Sequence, residues 1–160
     1  ALPIWKRVTT IRLRPFVLYW LPVLLWMTLI IGLSSQSNLP QRTDPATGER
    51  IGTTYSLAKT WHVIEFSFLS VLVYRAFSSR GGGVALSPER AATAAVLVCF
   101  AFASLDEFRQ SFVPRREASL VDVLLDTTAA LVAAFVCALW LRRRLGRGAA
   151  RSDASSGSSS

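Results

Sequence analysis

The 160-residue chain has little of what most soluble enzymes rely on. It has a single histidine, a single methionine and two cysteines. No GxSxG, HExxH or P-loop pattern occurs, so three common forms of hydrolytic and nucleotide chemistry lose their usual signatures. A disulfide framework needs exposed cysteines in an oxidising compartment. Cys99 and Cys137 instead fall inside apolar runs, where they read as small buried side chains. Acidic residues are also scarce, 10 against 18 Lys and Arg, for a formal net charge of +8. That excess first suggests nucleic acid. However, there is no basic helix with interleaved aromatics and no zinc-finger spacing.

What the chain has is hydrophobicity: 51% of its residues, gathered into four long blocks, with a mean hydropathy of +0.38. The first block, residues 16–33, carries no charge. Pro22 within it is tolerable in a membrane helix. Basic residues precede it, so a signal peptide is the competing reading, but signal h-regions are shorter, about 7–15 residues. The second block runs over residues 61–77 and the third over residues 91–105. The fourth covers residues 121–141 and is interrupted near its start by Asp122 and Asp126. The third block alone would give roughly 22 Å of helix against a hydrocarbon core of about 30 Å. Its position between longer neighbours still reads as a span. Ala129, Ala130, Ala133, Ala134 and Ala138 give the fourth block small-xxx-small spacings that let helices approach closely in lipid.

Basic residues cluster at the block edges. Before the first block, between the second and third, and after the fourth lie twelve Lys and Arg. The other two connections, with the block ends beside them, hold six. The richer side is cytoplasmic by the positive-inside rule. The predicted fold is an all-α membrane protein, a bundle of four transmembrane helices with both termini cytoplasmic, in the cell membrane. Residues 1–15 form a basic cytoplasmic N-terminus, 16–145 the membrane domain and 146–160 a Ser- and Gly-rich tail expected to be disordered. The glycines at 81–83 read as a flexible turn and not a phosphate loop, because no Lys-Ser/Thr follows them.

Apart from Glu89 and Asp153, the acids gather on the outer side or in the outer half of a helix. Lys59, His62 and Glu65 are three apart, drifting along one broad face. Asp106 and Gln110 are four apart, as are Asp122 and Asp126, so each pair shares a face. Ionisable groups within a bilayer turn toward the protein interior and pair. The spacing therefore predicts one polar cluster at the outer ends of three helices, drawn from Lys59, His62, Glu65, Asp106, Glu107, Gln110, Asp122 and Asp126. Arg115 and Arg116 would lie over it. The bland alternatives are an interfacial His62, a snorkelling Lys59, a helix-capping Asp122 and lipid-contacting Arg115 and Arg116.

Three segments carry a resemblance: SSQSNLP after the first block, KTWHVIEFSFL opening the second, and LDEFRQSFVPRREASLVDVLLD from the third into the fourth. Their order and spacing resemble the VanZ-like family of small bacterial membrane proteins, over about residues 20–134. The matching positions are Ser35, Gln36, Lys59, His62, Glu65, Asp106, Glu107, Gln110, Pro114, Arg116 and Asp122. The chain departs at Arg115, where the pattern has glycine, at Asp126, usually asparagine, and at Ala129, often glycine. The resemblance implies a role in resistance to glycopeptide antibiotics of the teicoplanin type, which act on cell-wall precursors outside the membrane.

Three functions are open when the residues are taken together with what the resemblance implies. In the first, the cluster binds a lipid-linked cell-wall precursor or an anionic lipid, with Arg115 and Arg116 engaging phosphate or carboxylate. In the second, the chain is an intramembrane enzyme acting on a lipid head group or cell-wall precursor, in which His62 with Glu65, Asp106 or Glu107 supplies a general base and its orienting carboxylate. In the third, the cluster only satisfies buried charge. One histidine and no metal-ligand repeat make a metal centre a weak reading. No cofactor and no nucleic acid are expected, and the lipid bilayer is the expected partner.

Overall fold

The computed structural model describes residues 13–34, 52–112 and 119–156, with side chains described over 15–34, 60–112 and 119–147. Every regular element among the described residues is a helix. Helix α1 spans Leu13–Ser34, α2 Gly52–Ser78, α3 Pro88–Gln110 and α4 Leu120–Ser156, with one 3-10 turn at Arg80–Gly82 between α2 and α3. Three stretches are long and apolar enough to cross a membrane: Pro15–Ser34, Pro88–Gln110 and Leu120–Arg147.

The third apolar block lies within a longer helix than its hydropathy suggests. Ser87 caps α3, its hydroxyl accepting from the Arg90 amide, and Pro88 follows with its fixed φ. At the far end the helix continues through Asp106 and Arg109 because these side chains find partners there. The result is 23 residues, roughly 34 Å, enough for the hydrocarbon core. Helix α4 runs past the fourth apolar block to Ser156. Ala149, Ala150 and Ala154 are strong helix formers and no proline intervenes.

Helices α2, α3 and α4 pack against one another, and α1 lies mainly along α2. Alanine makes the close approach possible. Ala91, Ala95 and Ala103 of α3 and Ala130, Ala134 and Ala138 of α4 are buried, the latter three at four-residue spacing. Ser70 of α2 donates to the Ala130 carbonyl at 2.8 Å, crossing to α4. Cys99 is buried and Cys137 half-buried, and both are free thiols. Large apolar side chains such as Leu18, Leu25, Leu97, Leu124 and Phe135 point outward. Only 11% of the most apolar window of α1 is buried. An apolar surface this extensive is at home in lipid, not in water.

The glycine turn is held, not flexible. Trp20 of α1 donates its indole N–H to the Gly82 carbonyl at 2.9 Å. A Cβ on Gly81 would meet the Tyr19 ring at 2.2 Å, and one on Gly82 the Ala76 carbonyl oxygen at 1.8 Å. Gly83 closes the turn with φ +97°, a conformation L side chains rarely adopt. The missing side chains let the turn fit against α1, a use of glycine that composition alone does not distinguish from looseness.

Candidate functional site

Polar residues converge where α1 ends, α3 ends, and α2 and α4 begin. Asp106 is the hub. It is 5% exposed, yet its Oδ1 accepts from the Ser34 hydroxyl of α1 at 2.9 Å and from Arg109 Nη2 at 2.8 Å and Nε at 3.2 Å. Its Oδ2 accepts from Gln110 Nε2 at 2.6 Å. A carboxylate taken from water needs this many donors to be tolerated. Arg109 sits one turn after Asp106 on the same helix face, and its side chain stays about one-third exposed at the rim.

The neighbouring acids are engaged in other ways. His62 Nδ1 lies 3.6 Å from Glu65 Oε2, and the buried Glu65 also sits beside the Trp61 indole. Glu107 turns the other way and accepts from the backbone N–H of Ser119, tying the end of α3 to the start of α4. Asp122 lies in the first turn of α4, where the helix dipole favours an acid. One turn further, Asp126 is buried, within electrostatic reach of Asp122, Glu65, Asp106 and Glu107. Glu65 Oε1 and Asp126 Oδ1 are buried without a hydrogen-bond partner among the described residues.

His62, Glu65, Asp106, Glu107, Gln110, Asp122 and Asp126 thus share one end of the bundle. Lys59 lies on α2 just before them, but its side chain is outside the described residues. Ser35, Gln36, Pro114, Arg115 and Arg116 also lie outside them. Two network members, Ser34 and Arg109, escape the sequence reading. Ser34 opens the SSQS run directly after the apolar block, so its neighbours draw the attention. Arg109 counts there only as a loop charge, although its i,i+3 spacing from Asp106 is a pairing signal.

The arrangement has chemical limits. Among the described residues, no group of three or more His, Cys, Asp or Glu side chains is placed to hold a metal ion. What the cluster offers is hydrogen-bond acceptors in depth, one guanidinium at the rim, and an imidazole next to a carboxylate.

No curated protein and no solved structure matches the chain. Residues 7–141 match the model of the VanZ/LLP1 family, a stretch that includes every described member of the cluster, and the chain is a membrane protein of that family.

Proposed function

We propose that the chain crosses the membrane four times with both termini in the cytoplasm, and that its polar cluster opens at the outer face. There it binds a lipid-linked or anionic ligand and thereby alters susceptibility to glycopeptides of the teicoplanin type. The topology rests on the twelve-to-six distribution of Lys and Arg. The 27 residues of α2 are long enough for a span, even with polar residues near its start. The observation that carries the binding reading is the Asp106 network. It locks Ser34, Arg109 and Gln110 in one geometry and holds a guanidinium at the rim. A guanidinium fixed at the rim adds positive charge where a phosphate or carboxylate would approach. Arg115 and Arg116, six and seven residues further along the chain, would add charge. The carboxylates behind would accept hydrogen bonds from hydroxyl or amine groups, so a phosphate linked to a sugar presents the matching chemistry.

A second reading rests on the 3.6 Å separation of His62 Nδ1 from Glu65 Oε2. An imidazole oriented by a carboxylate is the arrangement of a general base. In that reading the same ligand is hydrolysed or transferred, and His62→Gln abolishes turnover while binding persists.

The deciding experiment compares teicoplanin susceptibility in cells without the protein, with it, and with variants. Glu107→Gln and Arg116→Lys should abolish any resistance while membrane abundance stays near wild type. Leu24→Ala, on an outward-facing position of α1, should leave it intact. Variants that vanish from the membrane would mark the cluster as scaffold, and fully active ones would exclude these residues. Orientation is read separately by thiol labelling in cells lacking Cys99 and Cys137. Cysteines at Thr47 and Ser111 should react with an impermeant reagent, and cysteines at the exposed Val84 and at Ser155 should not. The reverse pattern overturns the topology.

A further inference from the structure

The opposite end of the bundle carries a second site that the polar cluster does not use. Between α2 and α4 runs a groove of about 350 Å³, within the roughly 300–1,000 Å³ range of ligand clefts. Val71, Val136 and Leu141 are among its apolar lining residues, and Tyr74, Arg75 and Trp140 also line it. Tyr74 is only 6% exposed, and its hydroxyl makes no hydrogen bond among the described residues. Buried hydroxyls in native folds nearly always have a partner, so an orphan lining a cleft points to an acceptor supplied from outside.

Two arginines flank the groove. The Arg75 guanidinium lies over the Tyr19 ring at 4.7 Å from its centroid, and that of Arg144 over Trp140 at 4.3 Å. Stacking occupies the faces of the guanidinium planes and leaves in-plane N–H groups for an anion. Neither arginine has an ion pair among the described residues. Both stand where the apolar stretch of their helix gives way to polar residues: Ser78 ends α2, and Arg142 and Arg143 follow Leu141 in α4. That is the depth of lipid headgroups, and basic clefts between membrane helices suit anionic ones.

From this juxtaposition we infer that the α2–α4 groove binds one anionic diacyl phospholipid. One acyl chain lies along Val71, Val136 and Leu141. The phosphate sits between Arg75 and Arg144, and the Tyr74 hydroxyl donates to a glycerol ester carbonyl. A free phosphate would account for the arginines but not for the apolar lining.

The test is native mass spectrometry on the full chain in detergent, offered equal amounts of phosphatidylglycerol and phosphatidylcholine with matched chains. One phosphatidylglycerol should be retained in preference. Arg75→Gln and Arg144→Gln should each cut that preference by about fivefold. Tyr74→Phe and Val136→Trp should weaken both lipids alike, because the ester and the acyl chain are common to both. Arg80→Gln/Arg90→Gln removes two charges at the α2–α3 connection and should leave the preference unchanged. Equal retention of the two lipids by wild type would overturn the assignment. So would loss of preference in Arg80→Gln/Arg90→Gln, which would mean diffuse surface charge. So would a lipid-free dimer dissociated by Val136→Trp, which would mean that a second copy covers the groove. If Arg75→Gln loses its fold with the Tyr19 stack, Arg144→Gln, in the exposed last part of α4, decides alone.

Discussion

At one end of the bundle carboxylates are buried and gathered around Asp106; at the other, arginines lie on aromatic rings at the surface. The acidic end is cross-linked: Asp106 joins α3 to α1, and Glu107 joins α3 to the start of α4. The basic end makes few charge contacts of its own. Its one ion pair among the described residues, Glu89 with Arg142 at 3.2 Å, is exposed on both sides and contributes little. Order there comes from the glycine turn packed against Tyr19 and Trp20. Within a bilayer a buried acid must be satisfied by the protein itself, whereas a terminal arginine can reach headgroups. Asp106 follows the first rule, and Arg75 and Arg144 the second.

The comparison can be broken most severely at Asp106. Asp106→Ala removes the acceptor for Ser34, Arg109 and Gln110 together and should destabilise the detergent-solubilised chain by about 3 kcal/mol. Thermal unfolding would show it, and a midpoint equal to wild type would mean that the network is not structural. Gly82→Ala is the matching disruption at the other end. Its Cβ would press on the Ala76 carbonyl, at a cost of about 2 kcal/mol, while Gly146→Ala, with open space around it, should be harmless or slightly stabilising. Equal midpoints for the two alanine variants would show that the turn is slack after all. The smallest effect sharpens the contrast. Asp126→Asn removes one acid from a group of five and offers an amide donor to a neighbouring carboxylate. It should stabilise by about 1 kcal/mol, and destabilisation would mean that the Asp126 carboxyl has a partner of its own.

Much of this was legible in the sequence. Each apolar block lies within one helix, and the four-residue spacing of Asp106 and Gln110 put both on the buried face that the structure shows. The helix ends were not legible. Hydropathy falls at polar residues, yet the α3 helix carries on through Asp106 and Arg109 because they are paired. Pairing across the chain was equally hidden. Ser34 and Asp106 are 72 residues apart, and no periodicity links the end of one helix to a side chain on another. The glycines misled for a related reason: their conformational freedom is local, but the Trp20 contact that removes it comes from another helix.

The hydrogen bonds of α1 bear on how the protein is assembled. Ser34 to Asp106, Trp26 to the Glu65 carbonyl at 3.0 Å, and Trp20 to the Gly82 carbonyl fasten this helix at its end, middle and start. Every acceptor lies later in the chain, so α1 emerges before the residues it docks on. Its uncharged apolar stretch makes it stable alone in lipid in the meantime. Insertion and docking of α1 are therefore separate events in time, as in two-stage membrane folding. Damage to these three contacts would leave a chain that is correctly threaded through the bilayer but unfinished, one that a membrane protease could recognise although no insertion step had failed.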